Sequence, residues 1–166
     1  IDLHDRNISV DNTEILIGDQ SDHSFLQSVV SKYGTFDIII DDGSHQSKHI
    51  IASFNFLFNH LSDNGIYVIE DLQTSYQPRY GGSRFNLIKK KSSMNFIKSL
   101  ADSINYEHKD KPFFKRNTFD GCIKSISFYQ NIAFITKGES TNYFFDNIKK
   151  ITFSDKIKKV ISFFYR

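Results

Sequence analysis

Short apolar runs alternate along the chain with longer segments of helical periodicity. Six runs rich in Ile, Val, Phe and Tyr are predicted to be strands: residues 1–3, 14–18, 36–41, 65–70, 122–129 and 132–137. The run at 36–41 is almost wholly apolar, which is typical of a strand covered on both faces of a parallel sheet. We therefore expect this strand at the centre of the sheet.

Three segments between these runs carry apolar residues at spacings of three and four and are predicted to be helices: 21–33, 46–61 and 87–104. Ser21 and Asp22 are candidate N-caps of the first helix, and Ser44 is a candidate for the second. The Asp-Asn-Gly segment at 63–65 predicts a turn into the next strand. Three consecutive lysines at 89–91 are interpreted as a solvated face of the third helix.

The last two predicted strands are separated only by Gln130 and Asn131. Because parallel strands need a long crossover, these two must form an antiparallel hairpin. Alternating strands and helices that end in such a hairpin predict the α/β class, with a Rossmann-like, doubly wound and mostly parallel sheet.

Length and composition narrow the range of functions. A chain of 166 residues corresponds to about one domain, and a single cysteine, Cys122, excludes an internal disulfide. The 21 Lys and Arg residues nearly balance the 19 Asp and Glu residues, for a net charge of +2, which disfavours a nucleic-acid-binding surface. No apolar run approaches the roughly 18 residues that a membrane span requires. We therefore expect a cytoplasmic protein with no nucleic-acid partner and no membrane span.

Paired acidic residues follow four of the predicted strands. The pairs are Asp2 with Asp5, Asp19 with Asp22, Asp41 with Asp42, and Glu70 with Asp71. One such pair is most simply a helix cap or a turn. Ligands of a doubly wound sheet, however, bind beyond the carboxyl ends of its strands. Four pairs at that one edge therefore favour a binding site.

Two of these pairs predict a metal site. The strands ending at Asp41-Asp42 and Glu70-Asp71 are expected to be neighbours about 4.8 Å apart, so their carboxylates would converge. Clustered carboxylates repel one another unless a cation lies between them, and oxygen ligands favour magnesium, manganese or calcium over zinc. We predict magnesium, with His45 as a base that deprotonates a metal-bound hydroxyl near neutral pH.

The first two acidic pairs suit a nucleotide. A carboxylate at the end of the second strand of a nucleotide-binding fold commonly accepts hydrogen bonds from ribose hydroxyls, and the next strand end flanks the adenine. Asp2 and the segment at 18–21, which contains Asp19 and Gln20, lie at such ends. Neither a G-x-G-x-x-G fingerprint nor a G-x-x-x-x-G-K-[ST] phosphate loop occurs in the sequence.

Two blocks carry a resemblance to a known family. The sequences FDIIIDDGSH at 36–45 and GIYVIEDLQT at 65–74, followed by YQPRYGG at 76–82, resemble the class I S-adenosylmethionine-dependent methyltransferases. Within that class they are most similar to the metal-dependent macrolide-sugar O-methyltransferases of the mycinamicin type. Glu70 lies 25 positions after His45, which is the spacing that this family shows. The resemblance covers residues 1–138.

The resemblance implies a role for each matching residue. The implied magnesium ligands are Asp42, Glu70 and Asp71, and the implied catalytic base is His45. The implied cofactor-binding residues are Asp2 at the ribose, Asp19 and Gln20 beside the adenine, and Asp41 at the cofactor edge of its strand. The loop at 73–82 corresponds to the substrate side, where the implied sugar contacts are Gln73, Tyr76, Arg79 and Tyr80.

The resemblance also implies the reaction. A methyl group would pass from S-adenosylmethionine to a sugar hydroxyl of a glycoside, glycan or natural product, with magnesium as the second cofactor. A metal-dependent hydrolase that uses the same carboxylates to activate water is an alternative, as is a non-catalytic accessory fragment of the same fold. The sequence is also compatible with a homo-oligomer.

The domain itself is expected to be partial. The family's first strand and Gly-rich cofactor loop precede anything in this sequence, so we expect residues 1–138 to form the domain from its second strand onward. The missing strand would lie between the strands that end at Leu3 and Asp41, and its absence would leave their edges unpaired and the chain poorly soluble. Residues 139–166 are expected to form a tail that packs on the domain.

Overall fold

Three helices and four strands make up the computed structural model, which describes residues 1–5, 11–85, 91–108 and 117–139. The helices are α1 (His23–Tyr33), α2 (Ser47–Leu57) and α3 (Ser93–Ile104). The strands are β1 (Phe36–Asp41), β2 (Leu61–Ile69), β3 (Ile123–Tyr129) and β4 (Ile132–Lys137). Short 3-10 turns lie at Phe58–His60, Leu72–Tyr76, Pro78–Tyr80 and Tyr106–His108. None of the helices in these ranges is long and apolar enough to cross a bilayer.

The four strands form one sheet in the order β1-β2-β4-β3. β1 and β2 are parallel, whereas β4 is antiparallel to both of its neighbours. The α/β class is therefore confirmed. The predicted hairpin is confirmed as well, with Tyr129 paired to Ile132 across its turn and Asn131 at a φ of 64°.

The first two predicted strands are not strands of this sheet. They meet in a single parallel bridge between Asp2 and Ile17, in which the Asp2 N–H donates to the Leu16 carbonyl at 2.9 Å and the Gly18 N–H donates to the Asp2 carbonyl at 2.8 Å. Short runs of three and five residues thus make one pairing contact instead of a ladder. The prediction of six strands is wrong for these two runs.

The predicted central position of the strand at 36–41 is also wrong. β1 lies at the edge of the four-stranded sheet, and Ile38 and Ile40 are 61% and 60% exposed. The opposite face is covered, since Phe36 and Ile39 pack against the core. Within the described ranges no strand pairs with the outer edge of β1, so an apolar sequence alone did not determine how many faces are covered.

The predicted turn at 63–65 lies inside β2 rather than before it. Asn64 has a φ of 64°, and the pairing register with β1 shifts between Phe36 and Ile38. A Cβ at Gly65 would lie 2.9 Å from the Ser62 carbonyl oxygen and 3.1 Å from that of Asp37. The turn residues therefore form an irregularity within the strand, and glycine is required by the close approach of the neighbouring backbone.

The predicted N-cap residues of the helices are confirmed only in part. Asp22 caps α1 by accepting hydrogen bonds from the backbone N–H groups of Ser24 and Phe25. Ser44 does not cap α2, because that helix begins after Gln46 and has no side-chain cap. Ser92 caps α3. Residues 87–90 of the predicted third helix, and with them two of the three lysines, lie outside the described residues.

The core lies between the sheet and helices α2 and α3. Phe54 of α2 is fully buried, stacks on Phe58 with ring centroids 4.8 Å apart, and meets Tyr67 of β2 edge to face at the same distance. Ile97 of α3 is buried beside them in the same cluster. This aromatic packing fixes α2 on β2 and so sets where the loop that precedes α2 meets the end of the sheet. Of the predicted tail at 139–166, residues 140–166 lie outside the described residues.

Candidate active site

Two carboxylates and an imidazole converge where β1 and β2 end. Asp42, His45 and Asp71 each offer one ligand atom, and these atoms all lie within 4.8 Å of one another. The imidazole Nε2 of His45 is 3.5 Å from Oδ2 of Asp71. Because β1 and β2 are parallel neighbours, the residues after each strand meet at one edge of the sheet, as the sequence predicts.

Both His45 and Asp71 hold a left-handed backbone conformation that residues other than glycine rarely adopt. Their φ angles are 56° and 53°, and such conformations cost of order 1–3 kcal/mol each and persist only where the surroundings enforce them. The buried hydroxyl of Thr74 donates to the Asp71 carbonyl at 2.7 Å and lies 3.4 Å from the His45 carbonyl. One side chain therefore touches the backbone of both residues.

Asp41 is directed away from this group and into the protein. Its side chain is buried, with Oδ2 accepting from the Ser53 hydroxyl at 2.6 Å and from the Tyr67 hydroxyl at 3.3 Å. Its Oδ1 accepts from Nε2 of Gln20 at 2.8 Å. Burial, and after it the charge of Asp41, raises the pKa of the Tyr67 phenol well above its ordinary value, so Tyr67 stays a hydrogen-bond donor.

Asp19 closes a turn beside this network. Its Oδ1 accepts from the Ser21 N–H at 2.7 Å and from the Ser21 hydroxyl at 2.8 Å. These hydrogen bonds lower the pKa of the Asp19 carboxyl below its ordinary value. Asp2 is bonded in a similar local way, since its Oδ1 accepts from the His4 N–H at 3.0 Å.

A cleft of about 770 Å³ runs from the first residues of the chain to the end of β1. Its apolar wall includes Leu16 and the exposed Ile38 and Ile40 of β1. Its polar lining includes the four predicted cofactor residues and one predicted metal ligand: Asp2, Asp19, Gln20, Asp41 and Asp42. Because Asp42 also belongs to the converging group, the cleft and the predicted metal site share this residue. The volume lies within the range of small-molecule sites.

Glu70 stands apart from the converging group. Among the described residues, its carboxylate is not one of the atoms that lie within 4.8 Å of one another. Its backbone N–H donates to the Asp41 carbonyl at 3.1 Å, which joins the ends of β1 and β2. The assignment of Glu70 as a metal ligand stays a prediction.

The group that does converge has donor chemistry suited to a hard divalent cation. Asp42 is exposed and the Asp71 side chain is 46% exposed, so both carboxylates are accessible. The Gln73 amide Nε2 donates to Oδ1 of Asp71 at 3.0 Å and orients that carboxylate. Two accessible carboxylates fit magnesium or manganese, which prefer oxygen ligands.

Comparison with known proteins gives relatives of one kind, although no family model matches the chain. It is 39% identical over 124 residues to demethylmacrocin O-methyltransferase of Streptomyces fradiae, covering 74% of this chain and 31% of that protein. It is 38% identical over 143 residues to mycinamicin VI 2''-O-methyltransferase of Micromonospora griseorubida, covering 84% of this chain and 36% of that protein.

Solved structures agree with these relatives. The MycE methyltransferase of the mycinamycin biosynthetic pathway, solved in complex with Mg and SAH, matches with a TM-score of 0.79 and 36% identity over 85% of this chain and 37% of that chain. Over most of its length the chain is therefore homologous to these O-methyltransferases. It spans about a third of the length of the relatives it matches. The resemblance inferred from the two sequence blocks is thus confirmed.

The loop at 73–82 of this O-methyltransferase homologue approaches the predicted base from one side. The Tyr80 ring meets the His45 ring edge to face, with centroids 6.3 Å apart, and the Arg79 guanidinium lies over the Tyr80 ring at 4.7 Å. Tyr76 is on the same loop with an exposed side chain. Gln73 has a buried Oε1 that accepts no hydrogen bond from the described residues. Tyr80 is thus the predicted sugar contact that borders the imidazole.

Sequence reasoning missed the residues that hold this site. Thr74 and Ser53 had no assigned role, and Tyr67 was only a residue of a predicted strand. One signal was available for Thr74, which lies three positions after Asp71, the separation at which a hydroxyl bonds back to a carbonyl. No pattern in the sequence indicates that Ser53 and Tyr67 meet Asp41, because the contact depends on how α2 packs on β2.

Proposed function

We propose that this chain forms part of an enzyme that transfers a methyl group from S-adenosylmethionine to a sugar hydroxyl. Magnesium would lie at Asp42, Glu70 and Asp71, with His45 as the base. The observation that carries the proposal is the convergence of Asp42, His45 and Asp71 within 4.8 Å, with Asp42 also lining the cleft. The homologous MycE methyltransferase, solved with Mg, SAH and mycinamycin VI, supports it.

Each side chain of the converging group has a role in this proposal. Asp42 and Asp71, with Glu70, would hold the cation, which when bound lowers the pKa of a coordinated hydroxyl. Neutral His45 accepts the hydroxyl proton at Nε2, and Asp71 at 3.5 Å stabilises the resulting imidazolium. The sugar oxygen then forms a bond to the methyl carbon as the carbon–sulfur bond breaks, and S-adenosylhomocysteine leaves.

The cleft suits the methyl donor in charge and shape. Four aspartates line it, and their negative charge favours a sulfonium cation over a neutral ligand. Hydrogen bonds from Ser21 keep Asp19 ionised, so that its carboxylate is a hydrogen-bond acceptor on this side of the cleft. We assign Asp2 to the ribose, Asp19 and Gln20 to the adenine side and Asp41 to the cofactor edge, as the family resemblance implies.

The acceptor in this proposal is a small-molecule or glycan hydroxyl. Tyr80 beside His45, with Arg79 and Tyr76 on the same loop, supplies rings and donors of the kind that sugars contact. The proposed enzyme is cytoplasmic, has no nucleic-acid partner, and is compatible with a homo-oligomer.

Calorimetry of the intact protein with S-adenosylhomocysteine, with and without magnesium, tests the proposal. We expect saturable binding of S-adenosylhomocysteine. In a separate assay, we expect transfer of a labelled methyl group to a glycosylated macrolide, and this transfer should stop in EDTA and return when magnesium is added. A metal-dependent hydrolase has no use for the methyl donor, so absence of S-adenosylhomocysteine binding would favour that alternative. Full activity in EDTA would remove the metal from the mechanism.

A variant pair tests the base. His45→Gln should lower the rate of methyl transfer by about 100-fold or more, within the range that general-base catalysis contributes. His60→Gln is the matched control, because His60 lies in the turn that precedes β2, at the opposite end of that strand from the site. Equal rates for the two variants would contradict the role of His45.

A further inference from the structure

We propose that Gln20 is a positioning residue that holds the loop at 42–45 and thereby places Asp42 and His45. The inference rests on the proposed function, and it adds to Gln20 a role beyond the adenine side of the cleft. The Gln20 carboxamide makes two hydrogen bonds to two ends of one loop: Nε2 donates to Oδ1 of Asp41 at 2.8 Å, and Oε1 accepts from the Ser44 N–H at 2.6 Å.

The Asp41 end of this bridge is fixed in the core. Asp41, Ser53 and Tyr67 are 7%, 2% and 0% exposed. The Ser53 hydroxyl and the Tyr67 hydroxyl both donate to Oδ2 of Asp41, which leaves Oδ1 for Gln20. The Gln20 amide is therefore anchored to β2 and α2 through a buried carboxylate, and it presents its carbonyl oxygen to the loop at a set position.

The loop end of the bridge lies directly on the carboxamide. A Cβ at Gly43 would lie 2.0 Å from Oε1 and 2.8 Å from Cδ of Gln20, so a larger residue would displace the carboxamide from its observed position. Ser44 is held a second time by its hydroxyl, which is 2.8 Å from Nδ1 of His49. Since Gly43 and Ser44 separate Asp42 from His45, fixing those two residues sets the spacing between the carboxylate and the base.

A positioning role and an adenine contact predict different losses. If Gln20 also holds the loop, its removal should weaken metal binding at Asp42 in addition to any effect on S-adenosylhomocysteine binding. If Gln20 acts only on the adenine side, its removal should weaken S-adenosylhomocysteine binding and leave the metal unaffected. A purely structural role would lower the melting temperature without a preference for either ligand.

The test uses Gln20→Met, which keeps the side-chain length and removes both hydrogen bonds, and Gln20→Glu, which keeps the acceptor for Ser44 but places a carboxylate against Asp41. Gln27→Met and Gln27→Glu are matched controls on an exposed position of α1. With Mn²⁺ alone as the probe, we expect about tenfold weaker binding for Gln20→Met, in the range found when a residue behind a metal ligand is removed. Gln20→Glu should weaken it further, and the controls should match the parent protein.

Hydrogen exchange separates this inference from the proposed function, because it needs neither metal nor methyl donor. The amides of residues 42–46 should exchange at least tenfold faster in Gln20→Met than in Gln27→Met, with α3 unchanged. If exchange responds in this way but the parent protein neither binds S-adenosylhomocysteine nor transfers methyl, the proposed function fails and the positioning role stands. Unchanged exchange and unchanged Mn²⁺ binding would overturn the positioning role.

A double-mutant cycle adds an independent check. Gly43→Ala should disturb the loop because its Cβ meets the Gln20 carboxamide, and Gln20→Ala removes the three atoms that lie nearest to that Cβ. We therefore expect Gly43→Ala to weaken Mn²⁺ binding less in the Gln20→Ala background than in the parent protein. Equal effects in both backgrounds would show that the loop does not rest on Gln20.

Discussion

The acidic pair at Asp19 and Asp22 and the acidic residues that follow β1 and β2 look alike in sequence but are used differently. Asp19 closes a turn with Ser21, and Asp22 caps α1, so both are satisfied by their own neighbours. Asp42 and Asp71 instead come from two strands and converge on His45. A carboxylate satisfied locally shapes the chain, whereas carboxylates brought together from separate strands create a site.

The pair that follows β1 also differs within itself. Asp41 is buried and bonded to Ser53 and Tyr67, whereas the adjacent Asp42 is exposed in the converging group. Successive side chains at the end of a strand point to opposite sides, so one carboxylate of such a pair is directed inward and the next outward. Asp41 therefore anchors the start of this loop to the core, and Asp42 is available to a ligand.

The largest effect should come from the carboxylates that converge. Asp71→Asn keeps the size of the side chain and its contact with Gln73 but removes the charge, so Mg²⁺-dependent methyl transfer should fall by roughly 100-fold or more. Asp63→Asn is the control, because Asp63 is exposed near the opposite end of β2. Methyl transfer and Mn²⁺ binding measure the effect, and a fully active Asp71→Asn variant would contradict the assignment.

A smaller effect is expected at Thr74, which contacts the backbone of both left-handed residues. Thr74→Val removes the hydroxyl that donates to the Asp71 carbonyl and lies close to the His45 carbonyl. The positions of Asp71 and His45 relative to each other should then be less fixed. We expect roughly tenfold weaker Mn²⁺ binding and a free energy of unfolding lower by about 1–2 kcal/mol. Thr136→Val on β4 is the comparison, and equal Mn²⁺ affinities for the two variants would remove Thr74 from the site.

Ser53→Ala tests how much the hydrogen bond to the buried carboxylate of Asp41 contributes to the stability of the protein. The change removes the 2.6 Å hydrogen bond to Asp41 within the core, and an incompletely satisfied buried group costs about 1–3 kcal/mol. Chemical denaturation measures the loss, with Ser31→Ala on α1 as an exposed control. A Ser53→Ala variant as stable as the control would show that Asp41 does not depend on this contact.

Sequence reasoning succeeded where the information is local or periodic. It found the hairpin at Gln130-Asn131, the cap at Asp22, and the meeting of Asp42, His45 and Asp71 at one sheet edge. It failed where the answer depends on which surfaces pack. The apolar run of β1 did not reveal that Ile38 and Ile40 would face a cleft. Nothing near Asp41 indicated that its carboxylate would meet Ser53 and Tyr67.

The smallest expected effect concerns Asp19, the locally satisfied carboxylate of the opening comparison. Hydrogen bonds from Ser21 lower its pKa relative to the unfolded chain, whose value is near 3.8. The stabilisation from these bonds is therefore present above that pH and is lost as the pH falls through the folded-state pKa.

Ser21→Ala tests this argument because it removes the hydroxyl donor. The pKa of Asp19, followed by carbon-detected NMR, should rise toward the ordinary value, and the melting temperature at neutral pH should be almost unchanged. Ser24→Ala, which alters only Asp22 at the α1 cap, should leave the Asp19 titration in place. An unchanged Asp19 pKa in Ser21→Ala, together with weaker S-adenosylhomocysteine binding, would show that Asp19 is held by the ligand site rather than by its own turn. The distinction between the two kinds of acidic pair would then fail at this residue.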